Sequence, residues 1–313
     1  MNKKADFKYK NELVLGGVFL VLFIIFSIAS EHFFSLTNVM SLFSQMVELG
    51  LLTLGMAASM ISGGMDLSLG ALTSFCTVML SVFIGQKGMP DASALIIVFA
   101  IAVLFGCFNG FLVGYLNIQS MLATLGTQSL FKGLGLVISN GVTVGIPNTQ
   151  FALFGRVKLW GFFPFQIIIL IVAAVIAIVI FNKTITGRRI YLIGSNSMVA
   201  GFAGVNIKKN IFFTYVFSAC MGFLASLVFT SKISAGRSDV ADPLLLKAVC
   251  ASVFGGVSSL GGIGNISAAL CGAAVITIIS NGLDMINASS YLQQVVIGGL
   301  LIIVLAFRHA RKK

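Results

Sequence analysis

Apolar stretches recur almost from end to end of the chain, separated by short polar or glycine-rich breaks. A helix needs about 20 mostly apolar residues to cross the hydrocarbon core of a bilayer. Reading the breaks as span ends predicts membrane segments at about 13–30, 38–61, 66–85, 92–115, 120–139, 164–181, 210–231, 243–257, 265–283 and 292–307. The eighth is short, which suits a tilted or re-entrant segment. Runs such as Gln166-Ile-Ile-Ile-Leu-Ile-Val do not alternate apolar with polar positions. A membrane β-barrel would alternate, so the spans are helices. The expected fold is an all-α membrane protein: a polytopic bundle of about ten transmembrane helices in a single domain covering residues 1–313.

Composition sharpens this picture. Hydrophobic residues make up 58% of the chain and charged residues only 9%, against about 25% charged in soluble domains. The net charge of +11 would suit nucleic-acid binding on a soluble domain, but no such domain is evident, and none is expected to bind here. The positive-inside rule accounts for the charge instead. Alternating the spans puts Lys3, Lys4, Lys8, Lys10, Lys183, Arg188, Arg189, Lys208, Lys209, Arg308, Arg311, Lys312 and Lys313 on one side. Only Lys87, Arg156, Lys158, Lys232 and Arg237 fall on the other. Both termini are therefore expected in the cytoplasm, with the first apolar run kept as an uncleaved span.

Cys76, Cys107, Cys220, Cys250 and Cys271 lie in or beside apolar segments at no metal-binding spacing, and read as small buried hydrophobes. His32 and His309 stand in no ligand arrangement. No catalytic constellation and no Walker pattern is present, so no enzyme activity, metal or cofactor is expected in this chain.

Three segments carry more information. In Ser62-Gly-Gly-Met-Asp-Leu-Ser-Leu-Gly70, Gly63 and Gly64 break a helix and Asp66 is placed to cap the next one. The same break would also suit an interrupted helix beside a solute path. Between 194 and 204, Ser195, Asn196 and Ser197 are all good N-cap residues. Met198, Val199 and Phe202 then share one face of a short helix that Gly204 would stop. That face could dock on a partner or rest on lipid headgroups, and the residues alone leave both open. In Val253-Phe-Gly-Gly-Val-Ser-Ser-Leu-Gly-Gly-Ile-Gly-Asn265 the glycines suit a tight turn between closely packed spans.

Gly106, Gly110 and Gly114 give the fourth span a smooth strip for a neighbouring helix. Ile-Ser-Asn-Gly occurs at 138–141 and again at 279–282, each copy expected to end a span on the outer side. Polar residues inside spans are few: Gln45, Glu48, Asn109, Gln128, Lys132, Lys247, Gln293 and Gln294. Gln45, Asn109 and Gln128 are the candidates for lining a solute path.

The chain resembles the membrane permease subunits of bacterial ABC importers for ribose, xylose, galactose and related monosaccharides. The resemblance is carried by Gly-Gly-Met-Asp-Leu-Ser-Leu-Gly at 63–70, Ala-Thr-Leu-Gly-Thr at 123–127, Thr186-Gly-Arg, Ile-Gly-Ser-Asn at 193–196, Gly204-Val-Asn and the glycine-rich segment at 253–264. It implies a multi-pass protein of the bacterial inner membrane, working as two copies or with a related permease. Two ABC ATPase subunits, which hold the ATP and Mg, would dock on its cytoplasmic side. A periplasmic or lipid-anchored sugar-binding protein would deliver the solute. It also implies that Gly194, Ser195, Asn196, Met198, Val199, Phe202 and Gly204 form the ATPase-coupling segment, and that Gly63, Gly64, Asp66 and Ser68 are a family signature. Arg237-Ser-Asp239 is similar to permeases for autoinducer-2, a related branch. An ion-coupled secondary transporter is the rival reading, with Asp66 and Glu48 the sole internal acids to serve it.

Overall fold

The computed structural model describes residues 10–147, 151, 154–155, 157–159 and 163–310. Lys3, Lys4, Lys8, Arg156, Arg311, Lys312 and Lys313 lie outside them. Twelve helices follow in chain order among the described residues: α1 Lys10–Ala29, α2 Leu36–Ile61, α3 Leu69–Ser81, α4 Asp91–Gly114, α5 Ser120–Ser139, α6 Ile167–Lys183, α7 Ile185–Ser195, α8 Ser197–Phe202, α9 Ile207–Ile233, α10 Asp242–Phe254, α11 Ile266–Met285 and α12 Ser290–Ala310. A π-helical turn, Val82–Gln86, extends α3. Short strands β1 Val144–Gly145, β2 Lys158–Leu159, β3 Phe163–Pro164 and β4 Ala235–Gly236 lie at the loops, pairing β1 with β4 and β2 with β3.

Each expected span coincides with a helix, but the count of about ten needs qualification. Among the described residues, seven helices are long and apolar enough to cross a bilayer, or eight if the bent pair α6–α7 is taken as one span. The pair bends by 69° at Thr184, whose hydroxyl accepts the Gly187 N–H (3.2 Å) and so starts a new helix there. Helix α10 has 13 residues, which at 1.5 Å per residue covers about 20 Å of the roughly 30 Å core. In α12 the apolar stretch runs over Ser290–Val304.

Helices α2 and α9 form the centre. One core cluster joins α2 to α6, α9, α10 and α11; a second joins α3, α4 and α5 to the opposite side of α9. Large apolar side chains of α1, α4 and α6 face outward instead, as lipid permits. Helix α1 packs along α11: the Glu12 carboxylate accepts from Asn265 Nδ2 (2.9 Å) and Ser267 Oγ (3.0 Å) at one end, and Phe26 lies against Gly282 at the other.

The glycine strip of α4 seats on α9. A Cβ at Gly106 would lie 2.6 Å from Ala219 Cβ, at Gly110 2.9 Å from Phe212 Cα, and at Gly114 2.8 Å from the Lys208 carbonyl oxygen. Helix–helix association in lipid depends on such close approach. The repeated Ile-Ser-Asn-Gly proves to be two unlike structures. The first copy ends α5, with Asn140 in the left-handed conformation (φ 51°). The second lies inside α11, which continues to Met285. There Asn281 exchanges hydrogen bonds with Asn38 of α2 (2.9 and 3.0 Å), so a tertiary contact, rather than a cap, fixes that asparagine.

Gly110→Leu would force α4 from α9 and cost at least about 3 kcal/mol; thermal unfolding in detergent should shift down and monodisperse protein be lost. Asn281→Leu alone should cost about 1–2 kcal/mol through the stranded Asn38 amide. Adding Asn38→Leu should restore most of that stability in a double-mutant thermal cycle.

Candidate functional site

Three of the sequence motifs meet at one end of the bundle. Helix α2 stops at Ile61 and the chain reverses through Gly63 (φ +93°). The 255–265 segment brings Gly261 (φ +92°) and Gly262 (φ +70°) against that turn. The Gly262 N–H donates to the Ile61 carbonyl (2.9 Å), and Ser195 Oγ donates to the Gly262 carbonyl (3.4 Å). A Cβ on Gly194 would lie 2.0 Å from the Ile61 oxygen, and one on Gly261 2.7 Å from Gly63 Cα. Backbone meets backbone here, and side chains would prevent it.

Helix α8 projects from this junction. Of the three candidate caps, Asn196 is the one used: its Oδ1 accepts the Val199 N–H (3.1 Å). Only Ala200 of the helix is buried. Met198, Val199 and Phe202 are 71, 51 and 86% exposed, a continuous apolar face with no covering from the described residues. Gly204 (φ +73°) closes the helix, and the Val205 N–H returns to the Ala200 carbonyl (3.0 Å).

Asp66 sits deeper, 1% exposed. It was expected to cap the following helix, but Ser68 holds that position and makes no side-chain cap bond. The Asp66 carboxylate instead accepts the Ser68 N–H (3.2 Å) and hydroxyl (2.6 Å) on Oδ1 and the Ser218 hydroxyl (2.7 Å) of α9 on Oδ2. Asn109 of α4 donates to Ser68 Oγ (2.8 Å). The acid thus ties the start of α3 to α9 through Ser218, and Ser68 links it to α4 through Asn109. The 123–127 motif joins the same region: Thr124 Oγ1 donates to the Met65 carbonyl (3.2 Å), and Ser120 Oγ accepts the Met65 N–H (3.3 Å). Gly64 gives room for the Tyr215 hydroxyl, which a Cβ would approach to 2.7 Å.

The three candidate path residues are not brought together. Asn109 is inside the Asp66 knot. Gln128 is half-buried on α5, one turn from Lys132, which pairs with Asp242 (2.6 Å). Gln45 lines a cavity of about 120 Å³ between α2, α10 and α11, with Glu48, Leu49, Leu244, Lys247, Thr277, Ser280 and Asp284. Glu48 is paired with Lys232 (2.8 Å), and Asp284 accepts from Gln293 of α12 (2.5 Å). Thr277, Ser280 and Asp284 were not among the sequence candidates. Their spacing of three and four residues puts one polar face on an otherwise apolar α11, and that periodicity was the available signal.

Asp66→Ala should leave the Ser68 and Ser218 hydroxyls without their acceptor and cost about 2–3 kcal/mol. The expected readout is a lower midpoint of thermal unfolding and less assembled protein, with solute preference unchanged in what does assemble.

Residues 38–305 match the family described as the permease component of the branched-chain amino acid transport system. The chain is 31% identical over 306 residues to the probable ABC transporter permease protein y4mJ of Sinorhizobium fredii, covering 97% of this chain and 91% of that one. It is 27% identical over 307 residues to the autoinducer 2 import system permease protein LsrD of Salmonella typhimurium, and 28% identical to LsrD of Photorhabdus luminescens, in each case over 96% of this chain and 92% of the relative. The likeness to PsaBC from Streptococcus pneumoniae in complex with Fab is remote, at 14% identity and a TM-score of 0.45 over 88% of this chain and 91% of that one. With a family match over most of its length and a relative above 30% identity across nearly all of it, this multi-pass membrane chain belongs to the permease-component family of ABC transporters.

Proposed function

We propose that the chain is the membrane-spanning subunit of an ATP-driven importer that moves a monosaccharide or related polyol across the bacterial inner membrane by alternating access. The observation that carries the coupling half of this reading is α8. Its Met198, Val199 and Phe202 are bare, while its base at Gly194 and Ser195 is locked to the ends of α2 and of the 255–265 segment. A push on the bare face would therefore be delivered to spans, not to a loose loop. ABC ATPase subunits are the occupants proposed for that face, and they would supply the ATP and Mg. A solute-binding protein would act from the opposite side, and a second copy or a related permease would complete the pore.

In this reading residues 1–313 form one permease domain and all ten segments cross, the short α10 reaching the far side through its glycine-rich extension. Alternating directions then put the end of α2, residues 194–204 and the 255–265 segment on one side, the side that the Lys and Arg distribution marks as cytoplasmic. Both termini lie there too. Transport needs no covalent chemistry from this chain: a path must replace the hydration of a polyol but hold it weakly enough to release it.

A second reading, import of autoinducer-2, is favoured by the LsrD relatives at 27 and 28% identity and by Arg237-Ser-Asp239. It leaves the coupling mechanism unchanged.

Phe202→Asp should abolish copurification of the ATPase subunits while the permease still inserts in the membrane; unchanged copurification would refute α8 as the docking element. The permease reconstituted without ATPase should accumulate no labelled solute, with or without a proton gradient. Accumulation driven by the gradient alone would establish a secondary transporter instead.

A further inference from the structure

The cavity between α2, α10 and α11 has a composition unlike the rest of the bundle. Six of its eight lining residues are polar, in a protein where 58% of residues are hydrophobic. Its charges balance: the carboxylates of Glu48 and Asp284 stand against the ammonium groups of Lys232, which closes on Glu48 at 2.8 Å, and Lys247, which lies in the wall. Two wall groups retain unused hydrogen-bonding capacity. Ser280 is 5% exposed, and its hydroxyl has no partner among the described residues. Lys247 makes no hydrogen bond to any of them, while Gln293 occupies one oxygen of Asp284. A buried hydroxyl without a partner costs about 1–3 kcal/mol.

The geometry points to a subsite for the hydroxyl edge of a neutral polyol, formed by Ser280, Lys247, Asp284 and Gln45. This inference rests on the reading above that the solute is a sugar or polyol, and assigns that solute a place in this chain. Lys247 and the Gln45 amide donate, Asp284 accepts, and the Ser280 hydroxyl does either. Adjacent hydroxyls of a polyol can meet such a mixed wall, each both giving and taking a hydrogen bond. With Glu48 neutralised from outside the wall by Lys232, the formal charges of Asp284 and Lys247 balance. Leu49 and Leu244 are the two apolar side chains of the wall. At about 120 Å³ the cavity has room for hydroxyl groups of a polyol, and a pass-through site must hold them weakly enough to release its cargo.

The test uses the full complex of permease, ATPase and binding protein in proteoliposomes, with ATP and labelled D-ribose, D-xylose, D-galactose and L-leucine as probes. The unaltered complex should accumulate at least one of the three sugars. For that sugar, Ser280→Ala and Lys247→Met should each lower the initial uptake rate about tenfold, the equivalent of about 1.4 kcal/mol, while Ser280→Thr, which keeps the hydroxyl, stays within about threefold. Copurification of the ATPase reports assembly of each variant. Lys247→Met keeps the test open should Ser280→Ala fail to assemble, since the lysine makes no hydrogen bond to the described residues. Sugar uptake at the unaltered rate in assembled Ser280→Ala or Lys247→Met would overturn the subsite and leave the importer reading intact. Uptake of L-leucine and of none of the three sugars would overturn the sugar reading and the subsite with it.

Discussion

Backbone-to-backbone contact is the interaction on which this bundle depends. Lipid tails are as apolar as leucine, so the helices gain little from hiding apolar side chains from water and must gain from touching closely. The chain meets that requirement with glycine in two places of different kind. Along α4 the strip from Gly106 to Gly114 lets two helices lie flush over about two turns. At the junction of Gly63, Gly194 and Gly261, two chain reversals and the last turn of α7 meet, each with φ or packing that a side chain would forbid. The first contact builds the membrane body. The second ties that body to the segment that leaves it.

Polar groups inside the bundle fall into two sorts, and the difference between them separates structure from candidate function. Around Asp66 both carboxylate oxygens are engaged and the hydroxyls of Ser68 and Ser218 point at them. Such a knot holds α3, α4 and α9 in one arrangement. Around Ser280 the bonding is incomplete, and Lys247, which makes no hydrogen bond to a described residue, shares the wall. A carboxylate with both oxygens engaged ties its helices together; a polar wall that faces open space leaves positions for something else to fill.

Much of this was legible in the sequence because it is local. Hydrophobic run length gave the helix positions, the 63–70 glycines gave the break, and cap chemistry with apolar spacing gave the helix at 197–202, down to its stop at Gly204. What the sequence withheld depends on partners distant in the chain. Asp66 reads as a cap from its neighbours, yet Ser218, 152 positions away, takes one of its oxygens. Asn281 reads as a helix end by analogy with Asn140, yet Asn38 holds it mid-helix. Gln45, Asn109 and Gln128 were chosen one by one as polar residues in apolar runs, and the structure distributes them to a cavity, a knot and the α5 helix. A path is a property of several helices facing one another, and no single run encodes it.

The attachment of α1 has a consequence for the membrane around the protein. This helix meets lipid along most of its length, yet Glu12 fastens one end to the start of α11 and Phe26 wedges its other end against Gly282. A helix fixed at both ends cannot tilt by itself to match a thicker or thinner bilayer. Mismatch, at fractions of a kcal/mol per Å, is passed on to α11, whose opposite face carries Thr277, Ser280 and Asp284. Acyl-chain length thereby becomes a variable to which the polar face of α11 responds.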